Sequence, residues 1–274
     1  MIFDTVPLWG FFLLTVGFVF LCIEGGFRLG LKPRQNKAER ESSVSGMARA
    51  TAGLLAFMLA FTFGSAASRH DVRKNLVIEE TNLISTTYLR TALLPSPYQE
   101  ETRRLLLDYV DLRVKAAKMT MAEIPQALAQ SDALQDQLWA QAVAAAQDNQ
   151  NSSKTGIFIQ SLNELFELHL KRVTAAFVNR IPGTIWSTLY LLAALTMFIM
   201  GYRDGLEGAR SRLISLVFVL SFSAVMFLIV DLDSPQQGLI RVSQQAMVDL
   251  QSKLVKDMAS LAPGQKQAKE PEKR

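Results

Sequence analysis

Four long apolar runs, none carrying an Asp, Glu, Lys or Arg, constrain this chain more than any other feature. Val6–Ile23 is 18 residues, Ala50–Ser68 is 19, Ile181–Tyr202 is 22 and Leu213–Val230 is 18. An uncharged apolar stretch of this length is long enough to cross the hydrocarbon of a bilayer as a helix. The average composition, 49% hydrophobic and 20% charged over 274 residues, resembles that of a soluble protein only because a polar middle dilutes the four runs. The expectation is an all-α, polytopic membrane protein. A soluble enzyme, a secreted disulfide scaffold and a disordered chain are excluded.

The chemistry-bearing residues are sparse. The single cysteine, Cys22, lies inside the first run, so neither an intramolecular disulfide nor a cysteine zinc site can form. The two histidines, His70 and His169, are too far apart for a His-Glu-x-x-His helix. No phosphate-binding glycine loop and no Gly-x-Ser-x-Gly elbow is present. Inside the spans the ionisable groups are Cys22 and Tyr190, a poor basis for catalysis. The sequence therefore calls for no enzyme activity, no cofactor and no metal. The net charge of +4 would suit a nucleic acid, but the basic residues sit beside the apolar runs, where membrane topology accounts for them.

Charges bracket the spans closely: Arg49 and Arg69, Arg180 and Arg203, Arg212 and Asp231. Trp9 and Trp186 lie near span ends, where amphipathic rings favour the interface. The chain opens without a basic residue and no Ala-x-Ala follows the first run, so that run reads as a retained span rather than a cleaved leader. The spans pair into two hairpins, over residues 1–69 and 181–232. Between them residues 70–180 form a polar segment of 111 residues with only three prolines and one glycine. Few breakers mean long helices, expected near 70–93, 97–119, 123–147 and 155–180. Three stripes support them: Leu105, Tyr109, Leu112, Ala116; Leu134, Leu138, Ala142, Ala145; and Leu162, Phe166, Leu170, Val173, Phe177. No breaker separates Ala67 from Leu94, so the second span should run straight into the first long helix, giving a helical stalk beside a four-span bundle. Ile181-Pro182-Gly183 should break the last long helix from the third span. Residues 233–274 should hold one more helix, near 241–260, and a polar disordered tail.

Lys and Arg in short loops favour the cytoplasm. Arg28, Lys32, Arg34, Lys37, Arg40 and Arg49 join the first pair of spans, and Arg203, Arg210 and Arg212 the second. By this rule the termini and the helical domain lie outside, which in a Gram-negative cell is the periplasm.

Three sets of residues are candidates for function. Leaving the second span, Arg69, Arg73 and Glu80 share one helix face, with Arg90 further along. Around an oligomer axis they would form a charged vestibule; within one subunit they would form inter-helix salt bridges. The second span is rich in Ala and Gly and carries Leu55, Leu59 and Phe63 at four-residue steps. That stripe fits either intramembrane packing or an apolar gate that excludes water. At the exit of the fourth span, Asp231 and Asp233 flank a Pro235–Gly238 turn, positioned to pair with Arg69 or Arg180 or to hold a cation.

Three segments carry a family resemblance. They are Ser68-Arg-His-Asp-Val-Arg73 through Glu79-Glu-Thr-Asn82 and Thr87-Tyr-Leu-Arg-Thr-Ala-Leu-Leu-Pro95; Tyr109-Val-Asp-Leu-Arg113; and Asp231-Leu-Asp-Ser-Pro235 with Gly238-Leu-Ile-Arg-Val-Ser-Gln-Gln-Ala-Met247. The chain resembles the bacterial bestrophin-like family, a domain of unknown function distantly similar to bestrophins. The family pattern has Tyr where this chain has His70. Bestrophins are homopentameric ion channels with a cytosolic helical domain between two transmembrane hairpins; animal members pass anions, and a bacterial relative favours cations. The resemblance implies a pentamer in the bacterial inner membrane, a pore lined by Leu55, Leu59 and Phe63, an inorganic ion as the transported species and a cytosolic helical domain. That last point opposes the loop charges. Bestrophins also carry paired tryptophans just after the second span, where this chain has Arg73-Lys74-Asn75.

Two functions follow as expectations. One is an oligomeric, bestrophin-like ion channel with the second span lining the pore. The other is a non-conducting membrane scaffold or sensor whose helical domain binds a partner protein.

Overall fold

The computed structural model describes residues 7–32, 37–148, 153–208, 212–235 and 238–261. Regular structure among them is entirely helical: α1 (Leu8–Gly30), α2 (Lys37–Arg90), a 3₁₀ turn (Thr91–Leu93), α3 (Tyr98–Ala116), α4 (Ile124–Asp148), α5 (Ser153–Phe177), α6 (Gly183–Glu207), α7 (Arg212–Asp233) and α8 (Gln245–Leu261). Four of these, α1, the apolar part of α2, α6 and α7, are long and apolar enough to cross a membrane. The polar tail expected at the C-terminus lies outside the described residues.

Breakers set the element boundaries. Pro7 and Pro182 precede α1 and α6, where the missing N–H costs nothing because the first turn has no partner for it. Gly208 ends α6 with φ 71°, a conformation that other residues rarely adopt. On α3, Glu100 and Glu101 lie in the first turn and Arg113 and Lys115 in the last, each complementing the helix dipole. Without a proline between residues 37 and 90, α2 continues as one helix of 54 residues.

The chain divides into two compact units. The first comprises residues 1–71 and 179–241, the second 72–178 and 242–274. In the first, α1, α6, α7 and the apolar part of α2 share a core that includes Val19, Leu55, Ala66, Leu189, Met197 and Met226. The closest pairing is α1 with α6. Gly26 and Gly30 face Gly201 and Gly205, and a Cβ on any of the four would overlap a backbone carbonyl of the other helix: Phe198, Tyr202, Ile23 and Phe27 respectively. Two reciprocal small-x-x-x-small pairs therefore set the backbone separation. Further along the same interface Thr15 Oγ1 lies 2.9 Å from Tyr190 Oη, and Phe11 packs edge-on against Trp186 and Tyr190. Trp186, expected at the interface, is buried in this core; its edge contact with Phe11 draws it inward.

The second unit packs α3, α4, α5, α8 and the polar half of α2 around Ile84, Tyr109, Leu138, Phe158, Leu162 and Leu250. The expected stripe on α4 faces this core, as do Leu105 and Tyr109 of the α3 stripe, while Leu112 is buried outside that cluster and Ala116 is half-buried. On α5 the expected stripe departs from the observed face, because Leu170 is 65% exposed. Beyond Leu165 the buried positions are Leu168, His169 and Ala175, with Arg172 half-buried between them. Apolar periodicity fails there because the element opposite presents a carboxylate.

Candidate functional site

Two opposite faces of α2 carry the residues of interest. Its inward face, repeating every three, four or seven residues, holds Leu55, Thr62, Ala66, Arg73, Val77, Glu80 and Ile84, all buried. The face on the other side of the span leaves Phe57 66% and Phe61 58% exposed. Beside them Gly46, Gly53 and Gly64 are exposed, with nothing within 4 Å of where a Cβ would stand. The three pore candidates fall differently from one another. Leu55 is 3% exposed and belongs to the core of its own unit, Leu59 is half-buried against that core, and Phe63 is 39% exposed. A four-residue step drifts about 40° round a helix, so a stripe that begins in the core ends on the flank.

The charged candidates also separate. Glu80 is fully buried in the second unit and is met by side chains from two other helices, α3 and α5. Arg172 of α5 pairs with its Oε2, Arg113 Nε of α3 stands 3.1 Å from its Oε1, and Tyr109 Oη donates to Oε1 at 3.0 Å. Arg172 Nη2 also donates to Gln244 Oε1 at 3.0 Å, at the start of α8. The Tyr109 hydroxyl has one proton and a carboxylate can only accept, so that proton goes to Glu80. His169 Nδ1, 2.9 Å from the same oxygen, must then carry a hydrogen and donate to it. Burial, with help from the Arg113 charge, lowers the His169 pKa to about 4, so the ring is neutral at pH 7. Burial alone lowers Arg172 to about 10 and leaves it charged; burial raises Tyr109. The result is a closed ionic knot, two guanidiniums on one carboxylate, that ties α2, α3, α5 and the start of α8 together. A vestibule would need Arg73 and Glu80 on the open face of α2, and both are buried in the inward one.

Arg69 is half-buried, with Nη1 3.9 Å from Asp233 Oδ1. Asp233 also accepts the Ile181 N–H at 3.2 Å, which fixes the entrance of α6 beside the exit of α7. Asp231 accepts the N–H groups of Leu239 at 2.8 Å and Ile240 at 3.1 Å, and so closes the turn after α7. Gly238 passes so close, at φ 131°, that a Cβ would overlap Asp231 Oδ1. Both carboxylates thus serve backbone N–H groups. Among the described residues there is no cluster of three or more His, Cys, Asp or Glu that could hold a metal. Arg90 stands apart from these groups and donates to the Ile157 carbonyl at 3.3 Å.

Tyr109, Arg113, His169, Arg172 and Gln244 did not stand out as a set in the sequence. A signal existed: Tyr109 and Arg113 are four apart and His169 and Arg172 three apart, so each pair shares a helix face. Only the buried Glu80 gives those faces a common target.

Four spans in two hairpins, separated in sequence by a helical segment whose core is completed by a C-terminal helix, define a class of all-α membrane protein. The sequence matches the Bestrophin-like domain over residues 13–247, and the chain belongs to that family. A crystal structure of a bacterial bestrophin homologue from Klebsiella pneumoniae, 17% identical, covers 92% of this chain and 98% of its own with a TM-score of 0.62. A point variant of that homologue, 15% identical, gives the same TM-score with 93% and 99% covered. A crystal structure described only as a membrane protein variant, 16% identical, gives 0.58 with 92% and 98% covered. These likenesses show a shared fold. No curated protein matches the sequence.

Proposed function

We propose that the chain is one subunit of a homo-oligomeric, bestrophin-like ion channel of the bacterial inner membrane, with no enzymatic role, and that α2 lines its pore. One observation carries the reading. The face of α2 turned away from its own protomer combines unpacked glycines with Phe57 and Phe61. A glycine turned to lipid packs nothing and weakens the helix, whereas at an oligomer axis it permits close approach or leaves a narrow path. Phe57 and Phe61, one turn apart, then form successive apolar rings of the kind that gate by excluding water. Of the residues first considered for the lining, Phe63 flanks this face, whereas Leu55 and Leu59 lie on the opposite side and support α2 from behind.

Ion flux from proteoliposomes tests this. Wild type conducts, and Phe57→Ala and Phe61→Ala each raise the resting flux several-fold by widening the apolar constriction. Absence of flux from wild type and both variants refutes a pore and favours the scaffold. The side of the helical domain is read by fusions after Gly156: an active alkaline phosphatase places it outside, as the loop charges have it, and a bright cytoplasmic reporter places it in the cytosol, as the resemblance implies.

A further inference from the structure

Leu239 is 83% exposed, more than any other large apolar side chain among the described residues, those of the spans included. It stands in the turn after α7, outside the spans. Looseness does not account for its position. Its N–H donates to Asp231 Oδ1 at 2.8 Å, the Ile240 N–H donates to Oδ2 at 3.1 Å, and Ile240 packs against the membrane core. A buried carboxylate thus holds the turn, with one apolar side chain directed in and its neighbour directed out. A Cβ on Gly238 would stand 3.4 Å from Leu8 Cδ1, at the first residue of the α1 span. Trp9, beside Leu8, is 68% exposed, and Leu13, one turn on, is 58% exposed. The protruding leucine therefore continues the apolar surface that α1 presents to lipid, at the edge of the bilayer.

The exposed charge of the turn is positive. Asp231 and Asp233 are buried and accept backbone N–H groups. Arg241 is exposed; its Nε donates to the Gly238 carbonyl at 3.2 Å, and its terminal nitrogens have no partner among the described residues. We propose that residues 238–241 form a phospholipid-binding turn. Leu239 enters the acyl region just below the headgroups, and the Arg241 guanidinium takes the phosphate of an anionic phospholipid. A tryptophan, an aliphatic side chain and an arginine at one level are the chemistry of an interfacial anchor. The turn then fixes the end of α7 to the membrane surface. The inference needs the spans but not a pore along α2.

Spin labelling of the full chain in vesicles tests this. In a Cys22→Ser background, Leu239→Cys carries a nitroxide, and Leu13→Cys, on the lipid face of α1, carries the same label as an acyl-chain reference. Power saturation compares collisions with oxygen, which concentrates in acyl chains, and with a water-soluble nickel chelate. At Leu239→Cys the oxygen rate should exceed the nickel rate several-fold, as at the reference. The excess should be larger in vesicles of phosphatidylcholine mixed with phosphatidylglycerol than in phosphatidylcholine alone, and Arg241→Gln should abolish that difference. Position 239 is exposed, so folding should survive labelling, and elution as wild type checks that. A label reached chiefly by the nickel chelate puts the turn in water, and one shielded from both reagents puts it against protein, such as a second copy; either overturns the proposal. The same ratio in both vesicles overturns the anionic headgroup. A reference label reached by the nickel chelate overturns the span assignment of α1 as well.

Discussion

Glu80 has no exposed surface, and its cost of burial is offset only because two guanidiniums and a phenol reach it. Removing one member of such a group strands charge in a low dielectric, which makes the arrangement an all-or-none lock between helices. His169 is the member that titrates. Its folded pKa of about 4 lies below the ordinary histidine value near 6.5, so the fold prefers the neutral ring. Between those pH values the unfolded chain binds more protons than the folded one. The histidine's contribution is therefore full above pH 6.5 and is lost as pH falls toward about 4, amounting at most to about 3 kcal/mol. Thermal unfolding of purified protein over that window should show this slope, and His169→Gln should flatten it. A wild-type profile no steeper than the variant's would mean that the ring is not held neutral.

At the scale of elements, proximity of backbones holds the membrane unit together. Small residues let α1 and α6 approach until Gly26, Gly30, Gly201 and Gly205 touch opposing carbonyls. In hydrocarbon no hydrophobic force drives helices together, so this packing is a main source of attraction. Gly201→Ala adds a methyl group directly onto the Ile23 carbonyl, and the helices must separate. A loss of roughly 1–3 kcal/mol is expected for this overpacking. Gly17→Ala, on the same α1 but with nothing within 4 Å, should leave stability unchanged. Heating both variants in detergent and following the soluble fraction checks the contrast. α2 makes the complementary point: its inward side packs within its own chain, and its outward side leaves glycines beside Phe57 and Phe61 exposed.

At the scale of the whole molecule that outward side becomes a claim about assembly. Native mass measurement in mild detergent should find five copies of the 30.5 kDa chain, the number the family resemblance implies. A monomer or a dimer would leave the apolar rings without an axis, and the conduction reading would fall with it.

Much of this was legible in the residues themselves. Span number, helix order, the unbroken passage of α2 out of the apolar segment and the break at Pro182 are consequences of where charges and breakers stand, and local energetics fixes those without reference to neighbours. The α1–α6 crossing was legible in principle, since Gly26/Gly30 and Gly201/Gly205 repeat at four-residue spacing. What tertiary structure alone decided was direction. Leu55, Arg73 and Glu80 face inward, while Phe57, Phe61 and Asp71 face outward. A helix that is apolar or charged all round has no internal preference for which side to bury. Only the partners that meet it, the α1–α6–α7 core on one stretch and the Arg113–Arg172 pair on the other, make one face the interior and leave the other to act.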